Sequence, residues 1–319
     1  MRKLLSYSLL VGTSFLLVAC TANIKDDDTT QNVNNQNSSV QKNTQKDLLQ
    51  GEVLETILTN TDWQGTRVYD SENNDLTEEN AEFIGLAKYD KQTNYYEFFD
   101  KDTGNSRGDE GTFFITNDGE KRILISKTKD YQAIVSLVEL TDEIFTYKRE
   151  GKDKNGQPID VFVEHKPYTE KALSFTNGRS NIEKNSKIEQ KIPGSEILGN
   201  TLWNGTKVLD EHGKDITEFN QMFISLAKFE NTTSKYEFFD LETGESRNDF
   251  GYYDVIADNT IRAHVSIGEN KYGVDLELTE LNKDRFTYKR QGKDASGKEI
   301  TVFVEHEPYK GDIIPEFTF

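Results

Sequence analysis

Tyr95-Tyr-Glu-Phe-Phe-Asp-Lys-Asp-Thr-Gly-Asn-Ser-Arg-Gly-Asp-Glu-Gly111 decides how this chain is read, because it returns as Lys235-Tyr-Glu-Phe-Phe-Asp-Leu-Glu-Thr-Gly-Glu-Ser-Arg-Asn-Asp-Phe-Gly251. From Trp63 to Gly111, 26 of 49 positions are identical to those 140 residues later, without a gap. After Ser126 and Ser266 the second copy gains one residue. Phe145-Thr-Tyr-Lys-Arg149 then matches Phe286-Thr-Tyr-Lys-Arg290, and Val161-Phe-Val-Glu-His165 matches Val302-Phe-Val-Glu-His306. The extra residue marks 127–130 and 267–271 as a surface loop. Two copies are too few for a solenoid, and each is long enough to close its own core. The repeats are expected at 51–176 and 195–319, as separate beads joined by a polar link at 177–194.

Short alternating runs recur about every twelve residues, separated by Asn, Asp and Gly. In the first copy they predict eight strands near 64–70, 82–89, 94–100, 111–116, 121–126, 131–139, 144–150 and 158–165, with one helical turn at 77–82. The connections Asp-Lys-Asp-Thr-Gly, Asn-Asp-Gly and Asp-Lys-Asn-Gly carry hairpin chemistry. Eight hairpin-linked strands predict an all-β fold: two tandem antiparallel up-and-down eight-stranded barrels, since closure removes exposed edges. A period of two puts Ile159, Val161, Val163 and His165 on the inner face, with Phe145, Tyr147 and Arg149 from the preceding strand. Trp63 and His165 fall at the bottom; the loops 71–81, 101–110, 127–130 and 151–157 fall at the top.

The chain has 319 residues, a net charge of −18 and one cysteine, Cys20. Such acidity disfavours nucleic acid. A lone cysteine excludes an internal disulfide and a cysteine-based zinc site. Met1-Arg-Lys followed by apolar residues to Ala19 reads as a secretory signal over 1–19, too short for a spanning helix. Residues 20–50 are polar, without hydrophobic periodicity, and are expected to be a disordered tether of about 30 Å reach.

Leu17-Val-Ala-Cys20 resembles the bacterial lipoprotein signal. That resemblance implies acylation of Cys20, cleavage before it, and a protein anchored at the extracytoplasmic face of the cell membrane. Asp62-Trp63-Gln-Gly65 resembles the opening of lipocalin-type calyx barrels, in which a tryptophan packs with a basic residue of the last strand and plugs one end. Here Trp63 with His165, and Trp203 with His306, stand at those places, although Gly65 follows the tryptophan and histidine replaces the usual Arg or Lys. The tandem arrangement is similar to an uncharacterised repeat family of Gram-positive surface lipoproteins, which implies no known activity.

Several residues are candidates for chemistry. At the top rim Arg107 and Arg149, with Tyr147 and Asp109, could grip an anionic or amphipathic ligand head bidentately. Arg247, Arg290, Tyr288 and Asp249 repeat the set. The aromatics Tyr96, Phe98, Phe99, Tyr131, Phe145 and Tyr147 are expected mostly in the core. Asp100-x-Asp102-x-Gly104 has alternate carboxylates, as calcium loops do, but lacks the downstream glutamate and is Asp240-x-Glu242 in the second copy. Asp100 to Ser106 and Asp240 to Ser246 resemble the attachment motif of covalent FMN carriers, with Asn105 and Glu245 in place of its alanine. His212 and His264 are not repeated. No metal site and no catalytic constellation emerges, so the expectation is a non-enzymatic binding protein without a cofactor. Its ligand is either a small molecule or, in barrels filled by side chains, a protein recognised as by an adhesin or inhibitor.

Overall fold

The computed structural model describes residues 49–183 and 186–319. The signal segment, Cys20 and almost all of the tether lie outside the described residues. The first repeat forms β1 (Asp62–Tyr69), β2 (Leu86–Asp90), β3 (Tyr95–Phe99), β4 (Ser106–Ile115), β5 (Lys121–Ser126), β6 (Gln132–Leu140), β7 (Phe145–Lys152) and β8 (Pro158–Tyr168). The second forms β9 (Trp203–Leu209), β10 (Leu226–Glu230), β11 (Lys235–Phe239), β12 (Ser246–Ile256), β13 (Ile261–Ser266), β14 (Tyr272–Leu281), β15 (Phe286–Lys293) and β16 (Glu299–Pro308). Each set closes into an antiparallel up-and-down barrel. The turns are built as their composition demands. In Asp153–Gln157 the Asp153 carboxylate accepts from the Asn155 and Gln157 amides, both at 2.8 Å, and Gly156 takes a φ of 76°.

The inner faces follow the period of two. Val161 and Val163 are fully buried, and His165 is buried beside them. Phe162 points outward and stacks on Tyr69 at 5.3 Å. Three elements depart from the sequence expectations. The second strand starts at Leu86 rather than near 82, because Ala81–Phe83 winds into a 3-10 turn. The fourth reaches back to Ser106. A helix, α1 (Gln50–Thr59), begins at the last residue assigned to the tether. It lays Leu54, Ile57 and Leu58 against the bottom of the first barrel, and its Leu58 carbonyl accepts the Trp63 indole N–H at 2.8 Å. A shorter helix, α2 (Gly194–Gly199), does the same for Trp203 through Leu198, at 2.9 Å.

The barrels are not separate beads. The outward side chains Phe114, Ile123 and Ile125 of β4 and β5 form one buried cluster with Ile256, Ile261, Ala263 and Val265 of the second barrel. Polar contacts frame it. The Asn117 amide donates to Ser234 Oγ (2.9 Å), and its side chain donates to the Asn231 carbonyl (2.6 Å). Arg179, from the link, donates to the Thr93 carbonyl (2.8 Å) on one barrel and pairs with Asp275 (2.7 Å) on the other. The link is thus a structural wedge.

Ile261→Ala removes buried methyls from this contact and should destabilise the chain by about 2–5 kcal/mol. Urea unfolding read by tryptophan fluorescence checks it, since Trp63 and Trp203 report one barrel each. An unchanged midpoint for both would mean that the contact contributes nothing.

Candidate functional site

The segment between β1 and β2 folds over the top of the first barrel as a lid. Asn80, fully buried, clamps it: its amide donates to the Leu76 and Lys152 carbonyls, both at 2.9 Å, and its oxygen accepts the Lys152 amide at 2.8 Å. A Cβ at Gly151 would stand 2.6 Å from that oxygen and 2.6 Å from Val161, so only glycine fits there. Asn220 and Gly292 repeat the device.

Beneath the lid, β4 opens with a bulge, Phe98 pairing with Asp109 while Phe99 pairs with Ser106. Gly108 supplies the positive φ, 60°. Asp109 accepts three hydroxyl bonds, from Tyr96 (3.1 Å), Ser126 (3.1 Å) and Tyr131 (2.8 Å). Burial first, and then this carboxylate, push the Tyr131 phenol up.

Deeper still, β5 places Arg122 inside the barrel, 3 % exposed. Its guanidinium carbon lies 4.6 Å from the Tyr147 ring centre and 5.1 Å from that of Phe145. Nη1 donates to the Tyr89 hydroxyl, and Nε has no partner. None of the ion pairs among the described residues includes Arg122. A cavity of about 190 Å³ joins this arginine to the mouth. Asp109, Tyr131, Tyr147 and His165 give it polar walls, and Ala87, Phe98, Leu124 and Ala133 give it apolar ones. His165 stacks on Phe145 at 4.9 Å. Burial, and secondarily the Arg122 charge, press its pKa down to about 3, so the imidazole is neutral.

Arg107, Arg149, Tyr147 and Asp109 therefore do line one cavity. The two rim arginines, however, also hold the lid. Arg107 donates twice to the Glu82 carbonyl at 3.1 Å, and Arg149 sits 4.1 Å over the Phe83 ring. In the second barrel Arg247 donates to the Ile224 carbonyl (3.1 Å) and Arg290 lies 3.8 Å over Phe223. Asp249 accepts from Tyr236 (3.1 Å) and Tyr272 (2.8 Å), and Tyr288 underlies Arg262 at 4.5 Å. Trp63 and His165 share the bottom without meeting, since Phe145 contacts both. Phe99 faces outward, in a cluster with Leu86 and Leu173. The Asp100 carboxylate is taken up by the Thr103 amide (2.9 Å) and hydroxyl (2.8 Å), and Ser246 donates to the buried Glu237 (2.5 Å). Among the described residues no group of three or more His, Cys, Asp or Glu is placed to hold a metal ion, and no helix is long and apolar enough to cross a membrane.

Arg122 was missed by sequence reasoning. The available signal was its position: Arg122, Leu124 and Ser126 share the inner face of β5.

Two closed barrels in tandem, one holding a lidded cavity, have the form of a binding or carrier module. The chain belongs to the family described as DUF4822, a domain of unknown function, whose profile matches residues 55–175 and again 195–317. No curated protein matches the sequence. Among solved structures, a protein of unknown function of the DUF3598 family from Nostoc punctiforme is similar at 11% identity, over 80% of this chain and 98% of that one, with a TM-score of 0.21. A provisionally assigned thioesterase II from Thermobifida fusca is similar at 8% identity, over 56% of this chain and 74% of its own, with a TM-score of 0.11. Neither score supports a structural or functional comparison.

The buried histidines make stability depend on pH. His165 and His306 are both held near pKa 3 in the fold, against about 6.5 when exposed. The unfolded chain therefore takes up protons first. Their contribution is complete above about pH 6.5 and is lost as the pH falls toward 3, by about 1.4 kcal/mol per pH unit for each histidine. Urea midpoints at pH 7 and pH 5 should show the loss, and His165→Gln should flatten the dependence. An unaltered slope would assign it to other groups.

Proposed function

We propose that this chain is a non-enzymatic, lipid-anchored binding protein of the extracytoplasmic face of the cell membrane, and that its barrel interior holds a small anionic or amphipathic ligand beneath the lid. Arg122 carries this reading. Removing a charge from water costs several kcal/mol, and a buried charge without an ionic partner is the costly case. A carboxylate or comparable anion in the adjoining cavity would supply that partner through a charge-assisted hydrogen bond. The apolar walls suit the body of such a ligand, as in the lipocalin-type calyx that the opening Trp63 resembles. Arg107 and Arg149, seated on the lid, serve closure and admission.

The anchoring rests on Leu17-Val-Ala-Cys20, whose cysteine would carry the acyl chains. More than one chain makes such anchoring stable. A net charge of −18 argues against a nucleic-acid partner.

Native mass spectrometry of the mature protein from its own host, before and after denaturation, tests both parts. The expected result is an acyl mass that stays with Cys20 and a small mass that leaves on unfolding. Acyl mass alone would favour a protein partner and barrels filled by side chains. A flavin-sized addition that survives denaturation would make the chain a redox carrier.

Arg122→Met provides a separate check. Replacing an unpaired buried charge with an apolar isostere should raise stability, by about 1–4 kcal/mol, while the bound mass disappears. Retention of the ligand by the variant would sink the assignment to Arg122.

A further inference from the structure

Resting on that reading, we infer that the duplicated site has diverged: the first barrel keeps room for one small monocarboxylate with an apolar body, and the second is built shut. The chain therefore takes one ligand, not two.

The cavity lining shows where the copies part. Of the residues around the first cavity, four differ in the second barrel: Glu82, Gly85, Leu124 and Ala133 become Met222, Ser225, His264 and Val274. Val274 adds two methyl groups where Ala133 leaves space, and Ser225 adds a hydroxymethyl group where Gly85 has none. A Cβ at Gly85 would come within 2.9 Å of Arg107 Nη1. The second barrel answers by reseating its arginine: Arg247 bonds the Ile224 carbonyl, whereas Arg107 bonds that of Glu82. His264 brings a ring that packs 5.0 Å from Tyr236 and 5.6 Å from Tyr272, with Nε2 3.4 Å from the Tyr272 hydroxyl.

Residual exposure inside the barrels agrees. Ala87 is 4 % exposed and Ala227 is 0 %; Ser126 is 7 % exposed and Ser266 is 0 %. The central arginine changes too. Phe229 stands where Tyr89 gave Arg122 its hydroxyl, and both Nε and Nη1 of Arg262 are sealed without a partner. Arg262 is left to the faces of Tyr288 (4.5 Å), Phe229 and Phe286 (5.7 Å each). In Arg122 Nε alone is sealed in this way, and Nη1 keeps the Tyr89 hydroxyl.

The ligand class follows from what remains open. Three guanidiniums line the first cavity. Arg107 and Arg149 at the rim are engaged by the Glu82 carbonyl and the Phe83 ring, and Asp109 already has three hydroxyl donors, so Arg122, facing the cavity from below, matches a single negative charge. A cavity of about 150 Å³ holds benzene, so about 190 Å³ accommodates an aromatic or short aliphatic carboxylate.

Titration calorimetry of the two-barrel chain with benzoate and hexanoate, and with benzamide as the neutral control, tests this. We expect one carboxylate per chain and at least tenfold weaker binding of benzamide. Arg122→Met should weaken benzoate at least tenfold. So should Ala133→Val, which copies the second barrel's residue and alters no charge. Arg262→Met should leave binding unchanged. The triple change Ser225→Gly, His264→Leu, Val274→Ala should raise the stoichiometry toward two. Two sites in the unaltered chain, or loss through Arg262→Met alone, would overturn the divergence and leave the binding reading standing. Equal binding of benzamide would overturn the carboxylate assignment. No binding of any probe, together with no small mass released in the native spectrum, would overturn the binding reading itself.

Discussion

A positive charge sealed at the centre of a small barrel is the constraint that the rest of the interior answers to. Eight strands enclose a space that side chains can just fill, and Arg122 occupies its middle without an ion pair among the described residues. Ring faces stand around it. Tyr147 and Phe145 lie 4.6 and 5.1 Å from the guanidinium carbon, close enough for cation–π attraction of about 0.5–2 kcal/mol each. Those terms offset only part of a desolvation cost of several kcal/mol. Burial first, and then the charge of Arg122, keep His165 neutral. Asp109, at the mouth side, is hydrogen-bonded by hydroxyls rather than by the arginine. The interior is thus arranged around a charge that it does not satisfy.

Holding that arrangement requires both ends to be closed, and the chain closes them by different means. Trp63 and α1 plug the bottom with apolar surface and one indole hydrogen bond. The top is covered by a lid held through polar contacts: Asn80 on the Lys152 backbone, Arg107 on a carbonyl, Arg149 on a ring. An apolar plug is permanent on the scale of folding. A cover held by hydrogen bonds at a solvent-facing rim can exchange them for water at small net cost, about 0.5–1.5 kcal/mol per bond. The asymmetry makes the top the side from which the cavity can be reached.

Strand number, hairpins and the inner faces of β7 and β8 were legible in the sequence, because a period of two against turn residues is a local signal. Arg122 was not. In Lys121-Arg-Ile-Leu-Ile-Ser126 both faces carry apolar residues, and an arginine beside a lysine reads as exposed. Ile123 and Ile125 point outward because another barrel covers them, which is a long-range fact that no local pattern contains. The same reason hid the role of Arg107 and Arg149: their partner is a lid segment whose path across the mouth is set by Asn80, 72 residues away from Lys152. Helix α1 had a readable spacing in Leu54, Ile57 and Leu58, but it adjoins a polar tract and is too short to declare itself without the barrel it packs on.

The contact that covers the outer face of β5 is close to two-fold symmetric. The same strands of each barrel, β4–β5 and β12–β13, meet at the interface. Their flanking bonds are reciprocal. Asn117 reaches Ser234, and Ala257, the counterpart of Asn117, reaches Asn94, the counterpart of Ser234 (2.9 and 3.4 Å). A surface in which i meets j and j meets i is the mark of a two-fold, isologous dimer. A dimer of identical chains must carry identical cavities. Joining the copies removes that restriction, and departures from symmetry then appear on both sides of the wall that the barrels share. Outside, Phe114 of the first barrel corresponds to Asp254 of the second. Inside, Leu124 corresponds to His264, one residue along the strand from the interface residue Ala263. Within one chain the reciprocal packing leaves each interior free to change alone.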